Sequence, residues 1–195
     1  IAYIHGSNGM AAGNTVEEAL VQASCEVFER HAQIQTIKPE KIVPSIDPDS
    51  VHNGIIKEMI RFYQRNNVDV IIKDLSLEGL LPAVGVLFIN NNLRSDRLEH
   101  RILIPGVSFN LEEGLTRCFT ESMQGRETLL ACRSQLDRPV VHRSQVDDFY
   151  LLMKCCVSLK DISFLEEGDI RTYENIKIKD IFGDSDQLES TLTEF

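Results

Sequence analysis

The chain has 195 residues, 43% of them hydrophobic, and a formal net charge of -10 at pH 7, so it holds enough apolar material for the core of about one domain. The negative charge argues against a nucleic acid as the main partner, because phosphate backbones are bound by clustered lysine and arginine. No run of 18 apolar residues and no basic leader before an apolar stretch occurs, so we expect neither a membrane span nor a signal peptide.

The first predicted element is a short strand over residues 1–5, which leads into a glycine-rich turn over residues 6–15. The strand has no preceding methionine, so we expect the chain to be a segment of a longer protein that lacks its N-terminal part. A helix over residues 16–37 follows, because Thr15 and Glu18 form a T-x-x-E capping box. Backbone N–H groups at such a start attract anions. The carboxylates nearby favour a phosphate bound together with magnesium over a free anion.

Polar residues on this helix form one stripe. At the helical period, Glu18, Gln22, Glu26 and Glu29 fall within about 80° of one another. The plain interpretation is the solvated face of an amphipathic helix. Two features favour a metal or nucleotide site instead: the apolar arc is wide, which indicates burial on several sides, and the acids lack lysine partners at i,i+4. The residues alone leave both interpretations open.

The middle of the chain predicts a loop, a helix and a strand. Residues 38–50 contain three prolines and predict a connecting loop. A second helix is expected to begin after Asp49 or Ser50 and to end near Gln64. Residues 68–73 then predict a strand.

Two further strands are expected before the third helix. Residues 80–90 are almost all apolar and predict a central strand of a sheet. Residues 101–104 predict a short strand, which ends in a turn at Pro105 and Gly106.

A second polar stripe lies on the third predicted helix, over residues 111–133. Asn110 is its expected cap, with Glu113 as the capping-box partner. Glu113, Arg117, Glu121 and Gln124 lie on one face. An alternative for Arg117 and Glu121 is an ordinary surface ion pair, worth under about 1 kcal/mol.

The C-terminal third predicts a loop, a fourth helix over residues 145–157, and a small strand-containing appendage with an acidic end. We expect two units, a core over residues 1–157 and the appendage over residues 158–195. The predicted fold class is α/β (α+β), with a mixed β-sheet and helices packed against it. The helices over residues 16–37 and 111–133 are expected to lie so that their polar stripes converge.

The cysteines do not predict a metal site. Their spacing contains no CxxC or Cys/His zinc pattern, and an odd number fits a reducing compartment. We therefore expect a cytoplasmic protein whose cysteines are buried thiols: Cys25, Cys118, Cys132, Cys155 and Cys156.

The polar motifs form a specific pattern when they are taken together. The sequence contains neither GxxxxGK[ST] nor GxGxxG. It does contain GSNGMAAGNT over residues 6–15, followed by two groups of polar residues: Glu18, Glu26, Glu29 and Arg30, and later Arg117, Glu121, Gln124 and Arg126. In order and spacing this pattern resembles the YcaO family, whose members use ATP to activate a peptide-backbone amide. The nucleophile is a Cys, Ser or Thr side chain, which gives an azoline, or a sulfide donor, which gives a thioamide.

The resemblance implies a set of ligands on this chain. Magnesium would be held against the ATP phosphates by Glu26, Glu29 and Glu121. Contacts to the nucleotide, or to those ligands, would come from Asn14, Glu18, Arg30, Arg117 and Gln124. The residue types fit, because magnesium prefers hard oxygen ligands and arginine matches phosphate oxygens. No catalytic side chain is implied, since phosphoryl transfer depends mainly on positioning and charge neutralisation.

The chain also departs from the family pattern. Ala11 stands where some members have a hydroxyl residue. An N-terminal segment that supplies another glutamate, and the proline-rich C-terminus of azoline-forming members, are both absent from the sequence, which weighs against the azoline-forming branch.

Three hypotheses follow from the sequence. The first is an ATP- and Mg2+-dependent enzyme domain that acts on a peptide or protein backbone amide, either alone or as a homo-oligomer. The second is a non-catalytic or accessory domain that supports a partner modification protein, for example in protein methylthiolation. The third is an α/β fragment whose acidic stripes have no function.

Overall fold

The computed structural model of the chain describes residues 9–95, 100–124 and 162–173. The predicted strand over residues 1–5, the predicted helix over residues 145–157 and the acidic end lie outside these residues. The part of the third predicted helix after residue 124 also lies outside them.

The described residues contain three helices and five strands. The helices are α1 (Val16–Ile37), α2 (Gly54–Arg65) and α3 (Leu111–Gln124). The strands are β1 (Ser45–Ile46), β2 (Val68–Asp74), β3 (Ala83–Asn90), β4 (Arg101–Val107) and β5 (Ile170–Arg171).

These strands form one mixed sheet in the order β4-β3-β2-β1-β5. β2, β3 and β4 make an antiparallel meander, with Val70 opposite Phe88 and Phe88 opposite Ile102. β1 pairs antiparallel with β2 and parallel with β5. The predicted mixed sheet with helices packed against it is confirmed.

Helices cover both faces of the sheet. Side chains alternate along each strand, so β3 sends Val86 and Phe88 to one face and Leu87 and Ile89 to the other. α2 and α3 pack on the first face, and α1 packs on the second. β3 is therefore buried on both faces, which explains its almost continuous apolar sequence.

The position of β4 brings α1 and α3 together. β4 is the edge strand of the described sheet, and both helices contact it. Since the two helices lie on opposite faces of the sheet, polar contacts between them pass around β4.

The predicted turn at Pro105 and Gly106 is wrong, because β4 continues to Val107. A proline is tolerated in an edge strand, where its missing N–H costs no ladder hydrogen bond. Gly106 pairs with Val84 and has a packing role rather than a turn role.

The predicted start of the second helix is also wrong. Asp49 and Ser50 belong to one short 3-10 turn that Asp47 caps. The chain is then extended at Val51, and α2 begins only after Asn53, whose Oδ1 accepts from Ile55 N at 2.9 Å. Asn53 is a cap by the same chemistry that had been expected of Asp49.

β1 lies inside the segment that was predicted to be a loop. With two residues it is too short to show alternation, and its partners β2 and β5 come later in the chain. β5, Ile162 and Leu165 belong to the predicted appendage, and they extend the sheet and the core. The boundary at residue 158 itself stays a prediction.

The expected burial of α1 on several sides is wrong. Val16, Leu20 and Val27 are 72%, 61% and 51% exposed, whereas Glu29 is only 5% exposed. α1 rests on the sheet through Cys25, Ala32 and Ile37, and part of its polar stripe turns inward with these residues. A wide apolar arc predicted burial, but it did not predict which part of the arc is covered.

Candidate functional site

Thr15 caps the start of α1 as predicted, and the reciprocal contact of Glu18 is to Asn14 rather than to the backbone N–H of Thr15. Thr15 Oγ1 accepts from Glu18 N at 3.2 Å. The carboxylate of Glu18 accepts from both the backbone N and the side-chain Nδ2 of Asn14, at 2.7 and 3.1 Å. Asn14 and Glu18 are both exposed, and they contact each other at the helix start rather than the acids farther along α1.

The described part of the glycine-rich turn lines an open apolar pocket at the surface. Its volume is about 400 Å³, and its walls include Met10, Val16 and Leu20. The backbone N–H of Gly9 donates to Glu26 Oε2 at 3.1 Å. In this structure the turn therefore gives an N–H group to a carboxylate of α1.

Glu29 is the most deeply buried acid on α1. Its pKa is raised to about 8, mainly by desolvation and also by the charges of Glu121 and Glu26, against the lowering effect of Arg30 and Arg117. Its Oε1 lies 3.6 Å from Arg30 Nη1. A buried carboxylate among like charges is unfavourable without a cation, so this environment suits a bound metal ion.

α3 supplies the other half of the site. Arg117 Nη2 donates to Gln22 Oε1 of α1 at 2.6 Å. The pKa of Glu121 is raised mainly by desolvation, with opposing contributions from Arg30 and Arg117 and a further increase from Glu26. The Arg117–Gln22 hydrogen bond joins the two polar stripes, as predicted, and it brings Glu121 within electrostatic range of the acids of α1.

A glycine contact allows α3 to lie this close. A Cβ at Gly106 would meet the carbonyl oxygen of Gly114 at 2.3 Å and Cys118 Sγ at 2.8 Å. Real Cβ contacts do not reach such distances, so β4 and α3 can approach only with glycine at position 106. Arg117 and Glu121 follow Gly114 on the same helix, and their position depends on this contact.

We call Glu26, Glu29 and Glu121 the carboxylate cluster. Among the described residues no three His, Cys, Asp or Glu side chains are close enough to hold a metal ion in this conformation. Gly9 holds Glu26 and Arg30 holds Glu29, which separates charges that repel one another. Three hard oxygen donors beside two guanidinium groups nonetheless fit magnesium and phosphate chemically.

Two further residues bear on the prediction. Gln124 is the last described residue of α3, and its side chain lies outside the described part. Gln22 was part of the predicted stripe but was not assigned a role, yet it holds Arg117. The sequence signal for Gln22 was its position on the stripe, four residues from both Glu18 and Glu26. It was not assigned a ligand role because its side chain is a neutral amide between acids.

The described cysteines fit the expectation of buried thiols. Cys25 and Cys118 are both buried thiols outside any disulfide, and desolvation raises the pKa of Cys25. Within the same described ranges, no helix is long and apolar enough to cross a membrane.

Residues 2–174 match the family model described as YcaO cyclodehydratase, ATP- and Mg2+-binding. An uncharacterised protein of Haemophilus influenzae is 34% identical over 128 residues, which are 65% of this chain and 21% of that protein. The ribosomal protein S12 methylthiotransferase accessory factor YcaO of Escherichia coli is 34% identical over 91 residues, which are 46% of this chain and 16% of that protein. The chain therefore spans less than a third of either relative.

Solved structures share the fold. The heterocyclase TruD superposes with a TM-score of 0.57 and 27% identity over 77% of this chain and 24% of TruD. YcaO from Methanopyrus kandleri, solved with AMPPCP and Mg2+, superposes with a TM-score of 0.54 and 20% identity over 97% of this chain and 47% of that protein.

Proposed function

Because this chain belongs to the YcaO family, we propose that its carboxylate cluster holds magnesium against the phosphates of ATP. The observation that supports this proposal best is the hydrogen bond from Arg117 of α3 to Gln22 of α1, which joins the two polar stripes so that the charge of Glu121 acts on Glu29. The family is described as ATP- and Mg2+-binding, and the donors on this chain suit both ligands.

The remaining polar residues receive supporting roles in this proposal. Arg30 and Arg117 neutralise phosphate charge, and the guanidinium fork suits phosphate oxygens. Gln22 fixes the orientation of Arg117 through their 2.6 Å hydrogen bond. Asn14, Glu18 and Gln124 contact the nucleotide or orient its ligands.

The reaction we propose is the activation of a backbone amide in a peptide or protein. ATP supplies the phosphoryl group that turns the amide oxygen into a leaving group, after a nucleophile has added to the carbonyl carbon. The residues of this chain bind, orient and neutralise charge, which is the main demand of phosphoryl transfer. The site lies between two helices beside an edge strand, and peptide segments commonly bind at such edges.

A second candidate function is an accessory role. The E. coli relative is named as an accessory factor of a ribosomal protein S12 methylthiotransferase. In this candidate the domain supports a partner modification protein and does not turn over ATP.

Nucleotide binding is tested by titrating the chain with a non-hydrolysable ATP analogue, with Mg2+ and with EDTA. We expect Mg2+-dependent binding that Glu26→Gln and Glu121→Gln each weaken by more than about 10-fold, since each variant removes a hard oxygen ligand. Glu58→Gln is the matched control, because Glu58 is an exposed acid of α2 that pairs with Arg61. Equal binding by all three variants, or binding that is unchanged in EDTA, contradicts the proposal.

Phosphate release separates the two candidate functions. If the domain is an enzyme, a peptide substrate increases Mg2+-dependent phosphate release by the wild-type protein but not by Glu121→Gln. Nucleotide binding without such stimulation, together with activation of a partner modification enzyme, identifies the accessory role.

A further inference from the structure

Three buried polar atoms on α1 lie outside the site described above. The Oε1 and Nε2 atoms of Gln33 and the Oγ1 atom of Thr36 have no hydrogen-bond partner among the described residues. Both side chains are fully buried, at 0% exposure. Native proteins almost always satisfy such groups, and an unsatisfied buried amide or hydroxyl costs about 1–3 kcal/mol.

Gln33 and Thr36 are neighbours on one face of α1. Residues three apart on a helix lie side by side, and their side chains point back towards the helix N-terminus. Gln33 follows Glu29 by one turn, so the polar strip that includes Glu29 continues inward through Gln33 to Thr36. The apolar residues Ala32 and Ile37 flank this strip and belong to the core.

The hydroxyl of Thr36 does not use the local alternative. A helical threonine commonly donates to the carbonyl three or four residues earlier, as Thr116 does to Glu112 O at 2.8 Å in α3. Thr36 makes no such bond. Its hydroxyl is therefore available to the same partner as the amide of Gln33.

We propose that Gln33 and Thr36 together bind an internal water molecule. The partner must both donate and accept, because Gln33 presents one acceptor and one donor group and Thr36 presents a hydroxyl. It must also be small, because neither side chain is exposed. Water meets both requirements, and internal waters typically make two to four hydrogen bonds to groups of this kind. This site does not depend on the nucleotide proposed above.

A crystal structure of the chain at a resolution that reveals ordered water is the direct test. We expect a density peak within about 2.7–3.2 Å of a Gln33 amide atom and of Thr36 Oγ1. A direct hydrogen bond from Gln33 to a protein group, or the absence of a peak at that place, overturns the proposal.

Stability measurements on variants give an independent test. Gln33→Met keeps the side-chain length but removes both polar atoms, and Gln35→Met makes the same change at an exposed position of α1. If water is bound, Gln33→Met lowers the melting temperature relative to Gln35→Met, and the effects of Gln33→Met and Thr36→Val are not additive because both residues share one ligand. A higher melting temperature for Gln33→Met shows that the amide was dry and overturns the proposal.

Discussion

Glu29 combines deep burial with charge repulsion. Desolvation and the nearby Glu121 raise its pKa to about 8, so the folded protein carries a cost for this side chain at neutral pH. Residues that disfavour folding and lie beside like charges are frequent at binding sites. The cost is removed when a cation binds or when the charge is deleted.

We therefore predict that Glu29→Gln stabilises the metal-free protein by roughly 1–3 kcal/mol at pH 7. In this variant the negative charges of Glu26 and Glu121 are balanced by the positive charges of Arg30 and Arg117. Denaturant unfolding in EDTA measures this change, with Glu58→Gln as the control. The same variant should lose the thermal stabilisation that Mg2+ and an ATP analogue give to the wild type. A Glu29→Gln protein that is less stable than the wild type in EDTA contradicts the prediction.

Lys73 is a second buried ionisable residue, remote from the carboxylate cluster. It is fully buried, and its Nζ donates to Ser45 Oγ at 2.8 Å and to Glu167 O at 2.7 Å. Desolvation lowers its pKa from 10.5 to about 8. Lys73 thereby connects the segment before β5 to the centre of the sheet.

The lowered pKa of Lys73 predicts a pH dependence of stability. Below pH 8 the amine is charged in both the folded and the unfolded state, and burial of the charge disfavours folding. Between pH 8 and pH 10.5 the folded state releases its proton first, so the free energy of unfolding rises with pH. We expect the wild type to gain about 1–3 kcal/mol relative to Lys73→Met across this window. A difference in the free energy of unfolding between the two proteins that stays the same at every pH would refute this.

At the level of elements, the contact between Gly106 and Gly114 sets the distance between β4 and α3. A methyl group at position 106 would overlap the Gly114 carbonyl oxygen, so Gly106→Ala must move α3 away from the sheet. Such a shift would also move Arg117 away from Gln22 and Glu121 away from the acids of α1.

We predict that Gly106→Ala weakens Mg2+-nucleotide binding and destabilises the fold by about 1–3 kcal/mol. Gly54→Ala is the matched control, because no atom lies within 4 Å of the Cβ that it would add. Titration and thermal unfolding of both variants measure the two effects. Unchanged binding by Gly106→Ala shows that α3 tolerates the displacement.

The elements that were predictable are those with a strong local signal. Thr15 and Glu18 fixed the start of α1, and Asn110 fixed the start of α3, where its Oδ1 accepts from Glu112 N at 2.9 Å. Apolar runs located β2 and β3. β1 was missed, and β5 was expected only as unlocated strand in the appendage, because two-residue strands are defined by partners distant in the chain rather than by their own residues.

For the candidate site, the sequence indicated residue types and spacing but not the orientation of the side chains, and the roles of these residues stay predictions. Helical spacing placed Glu26 and Glu29 on one stripe, and the resemblance linked them to Glu121. The inward turn of Glu29 and the exposure of Leu20 arise from how α1 rests on the sheet. A helical period gives the relative angles of side chains, but only tertiary packing decides which angle faces the core.

At the scale of the whole molecule, the described chain consists of a local meander and a distant closure. β2, β3 and β4 follow one another along the chain, whereas β1 and β5 pair residue 45 with residue 170. Local contacts form faster and β3 is paired on both sides. We therefore expect the meander to be more resistant to local unfolding than the part of the sheet formed by β1 and β5.

We predict a gradient of amide hydrogen exchange across the sheet. Amides of β3 should exchange at least about 100-fold more slowly than amides of β1, since opening β3 requires global unfolding and opening β1 requires only the loss of its two-residue pairings with β2 and β5. Exchange followed by mass spectrometry or NMR measures this difference. Equal protection of β1 and β3 would mean that the sheet opens as one unit.

The late position of β5 in the chain has a consequence for synthesis on the ribosome. When residue 124 has left the exit tunnel, the meander and all three described helices can already assemble, but Glu167, whose carbonyl oxygen accepts a hydrogen bond from Lys73, has not yet emerged. The lysine therefore remains hydrated in the nascent chain, and its amine is withdrawn from water only when the final segment docks.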